Sequence, residues 1–386
     1  MGPRHLSFSG RVSQKPMPLY DRWLLVAALS LTAMGLLMVA STSIVISEKS
    51  FHQPFHFLTR QAVFLGVGCM LGLLVMRIEV ARWQQMSMVL LISSVVLLIT
   101  VLIPGIGHEV NGSMRWIGIG GFGLQVSEFA KLGVIVYLAS YITRHQQAVQ
   151  TQVSGFVKPM LVLAVVGALL LKEPDFGAVV VLLCTALGMM YLAGVRLWQF
   201  AVLLLVALAA VAVLAISSPY RLARLTSFLN PWANQFDSGY QLTQSLIAFG
   251  RGSWMGLGLG ESVQKLFYLP EAHTDFMLAV LAEELGLLGV LAVSGLFVLL
   301  VARALIIARR AQLKDLRFAA FIAYGLGLQL ALQVMINIGV NTGLLPTKGL
   351  TLPLMSYGGS SMLMTCVSVA LLLRIDHETR WQVLGL

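Results

Sequence analysis

Asp275 ends the string Pro270-Glu271-Ala272-His273-Thr274-Asp275, where a polar stretch of roughly 58 residues (218–275) gives way to the apolar run Phe276–Val301. A carboxylate at a membrane boundary is costly unless it is solvated, paired or used. Held there, it is a candidate general base, with His273 as a candidate neighbour in the same pocket. Further on come Glu283 and Glu284. At 100° per residue they lie about 80° and about 180° round a helix from Asp275. The spacing predicts one of them at a cavity and the other against a neighbouring helix, and Glu283 is carried as a cavity candidate.

Glu128 and Lys131 are three residues apart, hence neighbours on one helix face. Their surroundings are otherwise fit for lipid, so both are expected to turn into the bundle. They are either a self-satisfied buried pair or the polar lining of a cavity. Ser127, just before them, is placed to cap that helix. Arg115, Arg221, Arg224 and Lys348 stand in outer polar segments and could neutralise an anionic group, while Gln241 and Ser356 are candidate polar lining. Lys172-Glu173-Pro174-Asp175 reads as an outer turn or as part of the cavity wall, because Pro174 disfavours helix at Glu173. The run Gly256-Leu257-Gly258-Leu259-Gly260 neither follows a strand nor opens a nucleotide-binding helix, so a phosphate loop is not supported. Cys69, Cys184 and Cys366 are far apart inside apolar runs. They predict neither a metal site nor a disulfide framework.

The elements that must hold these residues are membrane helices. The 386 residues are 58% hydrophobic and 11% charged, with a mean hydropathy of +0.85. A soluble domain could not hide that much apolar surface. Apolar windows predict an all-α polytopic membrane protein with about ten spans, near 22–46, 57–77, 84–103, 127–143, 157–172, 176–194, 198–217, 276–302, 318–340 and 356–374. With the N-terminus inside, 16 of the 26 basic residues but only five of the 16 acids fall on the inner side. The net charge of +10 is therefore a topology signal that puts both termini in the cytoplasm. It is not the footprint of a nucleic-acid binder. The expected organisation is a tail (1–21) without a cleavable signal segment, a membrane domain (22–374) and a second tail (375–386). Within the membrane domain, a large extracytoplasmic loop (218–275) should form short helices lying on the membrane surface, as the amphipathic stretch Leu242–Phe249 suggests. Segments 104–126 and 341–355 are the other outer loops.

Three strings, NGSMRWIGIG…QVSEFAKL, KLFYLPEAHTDFMLAVLAEELG and NTGLLPTKGLTLPLMSYGGSS, together resemble the SEDS family of FtsW/RodA peptidoglycan glycosyltransferases. NGSMRW, PEAHTDF and LPLMSYGGSS are closer to the division branch, FtsW, than to the elongation branch, RodA. Val126 departs from the family, which usually has proline there. The resemblance implies a SEDS fold in the bacterial inner membrane at the division septum. It also implies polymerisation of lipid II at the outer leaflet: a sugar 4-hydroxyl attacks the anomeric carbon bearing undecaprenyl pyrophosphate, with inversion and with Asp275 as general base. No cofactor is evident, although a divalent cation (Mg or Mn) could assist Arg115, Lys348 and the loop arginines at the pyrophosphate. The implied partners are a class B penicillin-binding transpeptidase of the FtsI type and division proteins of the FtsQ, FtsL and FtsB kind. Two other classes fit part of the pattern. A lipid II flippase would need a path from the inner face, yet the inner loops are short and basic. A non-catalytic division scaffold leaves Glu128, Lys131 and Asp275 without a task.

Overall fold

The computed structural model describes residues 20–110, 113–119, 122–216, 228–237, 239–347 and 349–381. Helices occupy all ten predicted positions. They are α1 (Arg22–Phe51), α2 (His56–Arg77), α3 and α4 (Val80–Gln85, Ser87–Val101), α5 (Val126–Arg144), the short α6 (Gln146–Thr151), α7 (Val153–Lys172), α8 (Phe176–Leu192) and α9 (Leu197–Ile216). After the long loop come α10 (Tyr240–Gly252), α11 (Met277–Leu313), α12 (Arg317–Asn341) and α13 (Gly359–Trp381). Seven described helices are long and apolar enough to cross a membrane, and α4 and α8 are shorter apolar helices.

Helix α5 is the central post. Its apolar window is 89% buried, against 28% for α2, so α2 faces lipid while α5 faces protein on every side. Small residues let the helices close on one another. Gly133 of α5 meets Leu90 and Ser94 of α4, Gly325 of α12 meets Ile135 and Met189, and Gly68 of α2 meets Cys366 of α13.

Two polar rungs join α1 to α11. At the N-terminal end of α1 Asp21 caps the helix, accepting from Leu24 N at 3.0 Å, and takes Arg303 Nε at 3.0 Å. Arg310 and Arg380 stand 3.8 and 3.7 Å from the same carboxylate. Arg380 also bonds Asp376. Beside this cluster α13 continues to Trp381, so residues 375–381 of the expected second tail are helical. At the outer rung Ser41 Oγ donates to Glu284 at 2.6 Å. Twenty residues of helix separate Asp21 from Ser41, about 30 Å at about 1.5 Å per residue, the thickness of a bilayer's hydrocarbon core, about 30 Å.

Above the outer rung the structure departs from the predicted spans. Helix α11 is 37 residues long and is broken at Gly286 (φ 66°, ψ −168°), a conformation essentially confined to glycine. Residues Leu287, Leu288, Leu291 and Val298 are open to lipid, whereas Met277–Glu284 are at most 2% exposed. The short arm before the break is therefore covered by protein, and the long arm after it carries the lipid-facing surface of the window 276–302. Apolar runs look alike in either setting.

The segment 104–126, expected as an outer loop, holds a three-stranded antiparallel sheet, an addition to the all-α expectation: β1 (Gly107–Val110), β2 (Ser113–Ile119) and β3 (Phe122–Gln125), in the order β1-β2-β3. Trp116 pairs with Gln125 and Ile117 with Leu124. In the long loop, Pro231–Asn234 form a 3-10 turn and α10 takes up the amphipathic stretch. Its buried face (Leu242, Ser245, Ala248, Gly252) lies on protein rather than on lipid: Ser245 donates to Asn341 O at 2.7 Å. A Cβ at Gly252 would stand 1.8 Å from Ala282 O, while one at the exposed Gly250 meets nothing within 4 Å.

This pair gives a matched test. Gly252→Ala should destabilise the protein by about 1–3 kcal/mol, whereas Gly250→Ala should add about 0.5–1 kcal/mol through helix propensity. Thermal unfolding in detergent reads both, and equal melting temperatures for the two variants would contradict the close α10–α11 contact.

Candidate active site

A cavity of about 510 Å³ opens between the sheet, the N-terminal ends of α5 and α8, and the loops before α11 and α13. Asp275, Glu128, Lys131, Arg115, Gln241 and His273 all line it. Residues from four separate stretches of the sequence thus converge on one space.

Asp275 is fixed by its backbone. Its carbonyl accepts from Asn337 Nδ2 and Asn341 Nδ2, each at 3.0 Å. Asn341 Oδ1 in turn takes Ala279 N at 3.2 Å, satisfying an N–H in the first turn of α11. Two residues earlier, His273 O accepts from Tyr357 N at 2.9 Å. The carboxylate itself lies over Gly349, where a Cβ would be 2.6 Å from Oδ2. Among the described residues, no side chain or backbone N–H donates to it. Burial pushes its pKa up to about 7, Glu271 and Asp175 push the same way, and Arg115 opposes them. His273 sits between Phe57 and Tyr357, with ring centroids 4.8 and 5.6 Å away. Burial lowers its pKa against the pull of Glu271, which favours the neutral imidazole.

The wall opposite is built on α5. Lys131 Nζ donates to Glu128 Oε1 at 2.8 Å and to Gln333 Oε1 at 3.4 Å, and Gln333 Nε2 bonds Thr351 O at 3.0 Å. The pair is both self-satisfied and part of the cavity lining, so the two sequence readings merge. Ser127 does not cap α5, whose N-cap is Gln125 without a side-chain bond. Its hydroxyl donates to Asp175 Oδ2 at 2.9 Å instead.

The 172–175 turn belongs to the cavity. Asp175 caps α8 through Ala178 N (3.2 Å) and lines the space. Arg115 reaches across from β2: Nε donates to Glu173 O at 3.1 Å, a terminal nitrogen to Pro174 O at 2.6 Å, and Asp175 Oδ1 is 3.9 Å away. Arg115 thus ties the sheet to the α7–α8 turn while presenting a cation to the cavity. The Glu173 carboxyl is fully buried, with neither oxygen hydrogen-bonded among the described residues. Burial first and Asp175 second raise its pKa to about 8.

Two predicted lining residues lie elsewhere. Glu283 is fully buried on the far side of α11, taking bonds from Ser262 Oγ, from Gln264 N at 3.2 Å and from Arg251 at 3.2 Å. Its neighbour Glu284 is equally buried and bonded to Ser41 and Lys265, and neither glutamate lines the cavity. The helix break at Gly286 and the loop folded over α11 give both acids partners that a helical wheel does not foresee. Ser356 is buried in a turn, where its Oγ accepts from Leu352 N at 2.9 Å. Lys348, Arg221 and Arg224 lie outside the described residues. Sequence reading missed Arg60, Gln125, Glu271, Thr347, Thr351 and Tyr357 as cavity lining. Asp175, left open as turn or wall, showed the one legible signal, an acid directly before an apolar helix.

Residues 22–381 match the model of the FtsW/RodA/SpoVE family, described as "Cell cycle protein". The chain is 59% identical over its whole length to the "Probable peptidoglycan glycosyltransferase FtsW" of Legionella pneumophila, covering 98% of that protein. It is 57% identical to the protein of the same name from Coxiella burnetii, over 93% of this chain and 97% of that one. Among solved structures it is similar to a chain described under "Structural coordination of polymerization and crosslinking by a peptidoglycan synthase complex". That match has a TM-score of 0.75 and 29% identity, over 93% of this chain and 98% of the other. The rod shape determining protein RodA of Thermus thermophilus matches with a TM-score of 0.68 and 29% identity, over 94% and 98%.

The buried pair on α5 yields a stability test. Lys131→Met or Glu128→Gln alone should cost about 3–5 kcal/mol, because one charge is left buried without its partner. The double variant should recover a large part of that loss. Melting temperatures in detergent decide it, and additive losses would argue against a coupled pair.

Proposed function

The chain belongs to the FtsW/RodA/SpoVE family, and from that premise we propose that it polymerises lipid II with Asp275 as the general base. It is an integral membrane peptidoglycan glycosyltransferase, as its family and its apolar helices require. The observation that carries the mechanism is the Asp275 carboxylate: it faces the cavity, its backbone is held by two asparagines, and its oxygens have no donor among the described residues.

In this reading the acceptor sugar lies with its 4-hydroxyl at Asp275. The carboxylate takes the hydroxyl proton as the oxygen bonds to the anomeric carbon of the second sugar. The bond from that carbon to undecaprenyl pyrophosphate breaks with inversion, and the pyrophosphate leaves with the electron pair. A pKa near 7 suits a base working at neutral pH, because a useful fraction is ionised while basicity stays high. Arg115 and Lys131 supply positive potential at the cavity wall. Lys348, Arg221 and Arg224 are proposed to add to it at the pyrophosphate. Among the described residues no three His, Cys, Asp or Glu side chains converge to hold a metal. A divalent cation at the pyrophosphate would rest on the substrate's phosphate oxygens and one or two carboxylates, such as Asp175 or Glu271 of the cavity lining, and no step is assigned to one.

The same reading places the cavity at the outer leaflet of the cytoplasmic membrane, both termini inside, and the protein at the division septum. Similarity to a chain of a synthase complex that joins polymerisation to crosslinking supports a transpeptidase partner of the class B penicillin-binding, FtsI type. Proteins of the FtsQ, FtsL and FtsB kind are proposed as regulators.

Asp275→Asn should lower glycan-strand formation from lipid II by about 10²–10⁴-fold while leaving expression and melting temperature near wild type. Undiminished polymerisation would remove Asp275 from the mechanism. The wild-type rate should rise with pH through about 7 as Asp275 ionises. Because Glu271 raises that value and Arg115 lowers it, Glu271→Gln should move the limb to lower pH and Arg115→Gln to higher pH. A limb that stays put in both variants would assign it to another group.

A further inference from the structure

The mechanism leaves two fully buried glutamates unused. Glu283 and Glu284 adjoin the break in α11, and the loop after α10 is folded onto that break. Leu257 N and Gly258 N donate to the carbonyls of Glu283 and Glu284, each at 3.0 Å, and Leu287 N and Leu288 N donate to Ser253 O and Trp254 O at 2.9 and 3.2 Å. The loop backbone thus replaces the helical bonds lost at Gly286. A Cβ on Gly286 would lie 2.4 Å from Gly256 N, so the two backbones touch.

Each side chain then fixes a different neighbour. Glu283 takes Arg251 from the end of α10 and the Ser262–Gln264 turn. Glu284 takes Lys265 Nζ at 2.8 Å and Ser41 Oγ of α1 at 2.6 Å, and Lys265 also donates to Ser41 at 3.0 Å. The Lys265 side chain is 7% exposed, so this is a desolvated pair rather than a surface contact. The half-helix that begins at Met277, two residues after Asp275, is therefore anchored at its far end by two independent ionic contacts.

Resting on the reading of Asp275 as the base, we propose that Glu283 and Glu284 are positioning residues: they lock the outer half of α11, and with it Asp275, in the reactive place relative to α1 and the outer loop. Neither touches the cavity, so they act through the half-helix. Loosening them displaces the carboxylate without removing any group that meets substrate. A misplacement of about 1 Å at a reacting centre can cost about 100-fold in rate. The lock also gives α1 and the outer loop a lever on the base, since a shift of either is felt at Glu284.

The test uses full-length enzyme reconstituted with its transpeptidase partner and lipid II. Glu284→Gln and Lys265→Met should lower kcat by about 10–100-fold with KM unchanged, and the swapped pair Lys265→Glu/Glu284→Lys should recover most of the loss. Ser41→Ala removes one hydroxyl and serves should the charged variants fail to fold. It should lower kcat in the same direction and speed hydrogen exchange of the Met277–Leu285 amides. Folded variants that turn over like wild type, a change confined to KM, or unaltered exchange in that segment would overturn the proposal. A wild-type enzyme that forms no glycan, or an Asp275→Asn enzyme that still does, would instead overturn the reading of the site.

Discussion

The site depends on holding a carboxylate still without satisfying it. A buried acid is normally quieted by donors, and donors to its oxygens would lower its pKa and occupy the lone pairs that the proposed role leaves open to a proton. Here the two asparagine amides of α12 grip the carbonyl of Asp275, leaving the side chain to the cavity. Gly349 makes room for it, since any larger residue there would press on Oδ2. The geometry is set by the backbone and the chemistry is left to the side chain.

That arrangement requires Asp275 to sit outside the hydrocarbon yet inside protein. The two rungs between α1 and α11 show how the chain manages this. The Asp21–Arg303 contact and the Ser41–Glu284–Lys265 contact lie about one bilayer core apart along α1. Polar groups at any level between them would have to be paired at greater cost. Above the outer rung the chain is free to use broken helix, sheet and loop, because its backbone polar groups are there covered by protein or met by water. The cavity, the sheet and the outer half of α11 all occupy that upper layer.

This division also explains what the sequence could reveal. Spans were legible because lipid demands long apolar runs, and the buried Glu128–Lys131 pair because charges in such runs must turn inward. The break at Gly286 was hidden because Phe276–Ala282 is apolar for a different reason, burial in protein. The sheet was hidden because its strands of four and seven residues are short and rich in glycine. Arg60 and Glu271 gave no signal, since their roles come from which loops meet over the cavity. Glu283 and Glu284 were visible as acids but not as partners of Arg251 and Lys265, a pairing that only the folded loop creates.

Arg115 connects the electrostatics to the fold. Its guanidinium is spent on two carbonyls of the α7–α8 turn, so it is held in place, and its charge still restrains the basicity of Asp275. An anionic head group drawn to Arg115 would cancel that charge. The pKa of Asp275 would then climb, by the same Coulomb effect that Glu271 already exerts. In the proposed mechanism the base would thus be strongest when the leaving group is bound and weaker when the cavity holds only water, which would link proton abstraction to a filled site. The fully buried Glu173 beside this turn fits the same economy of charge: at a pKa near 8 it stays protonated at neutral pH and adds no second anion behind Asp175.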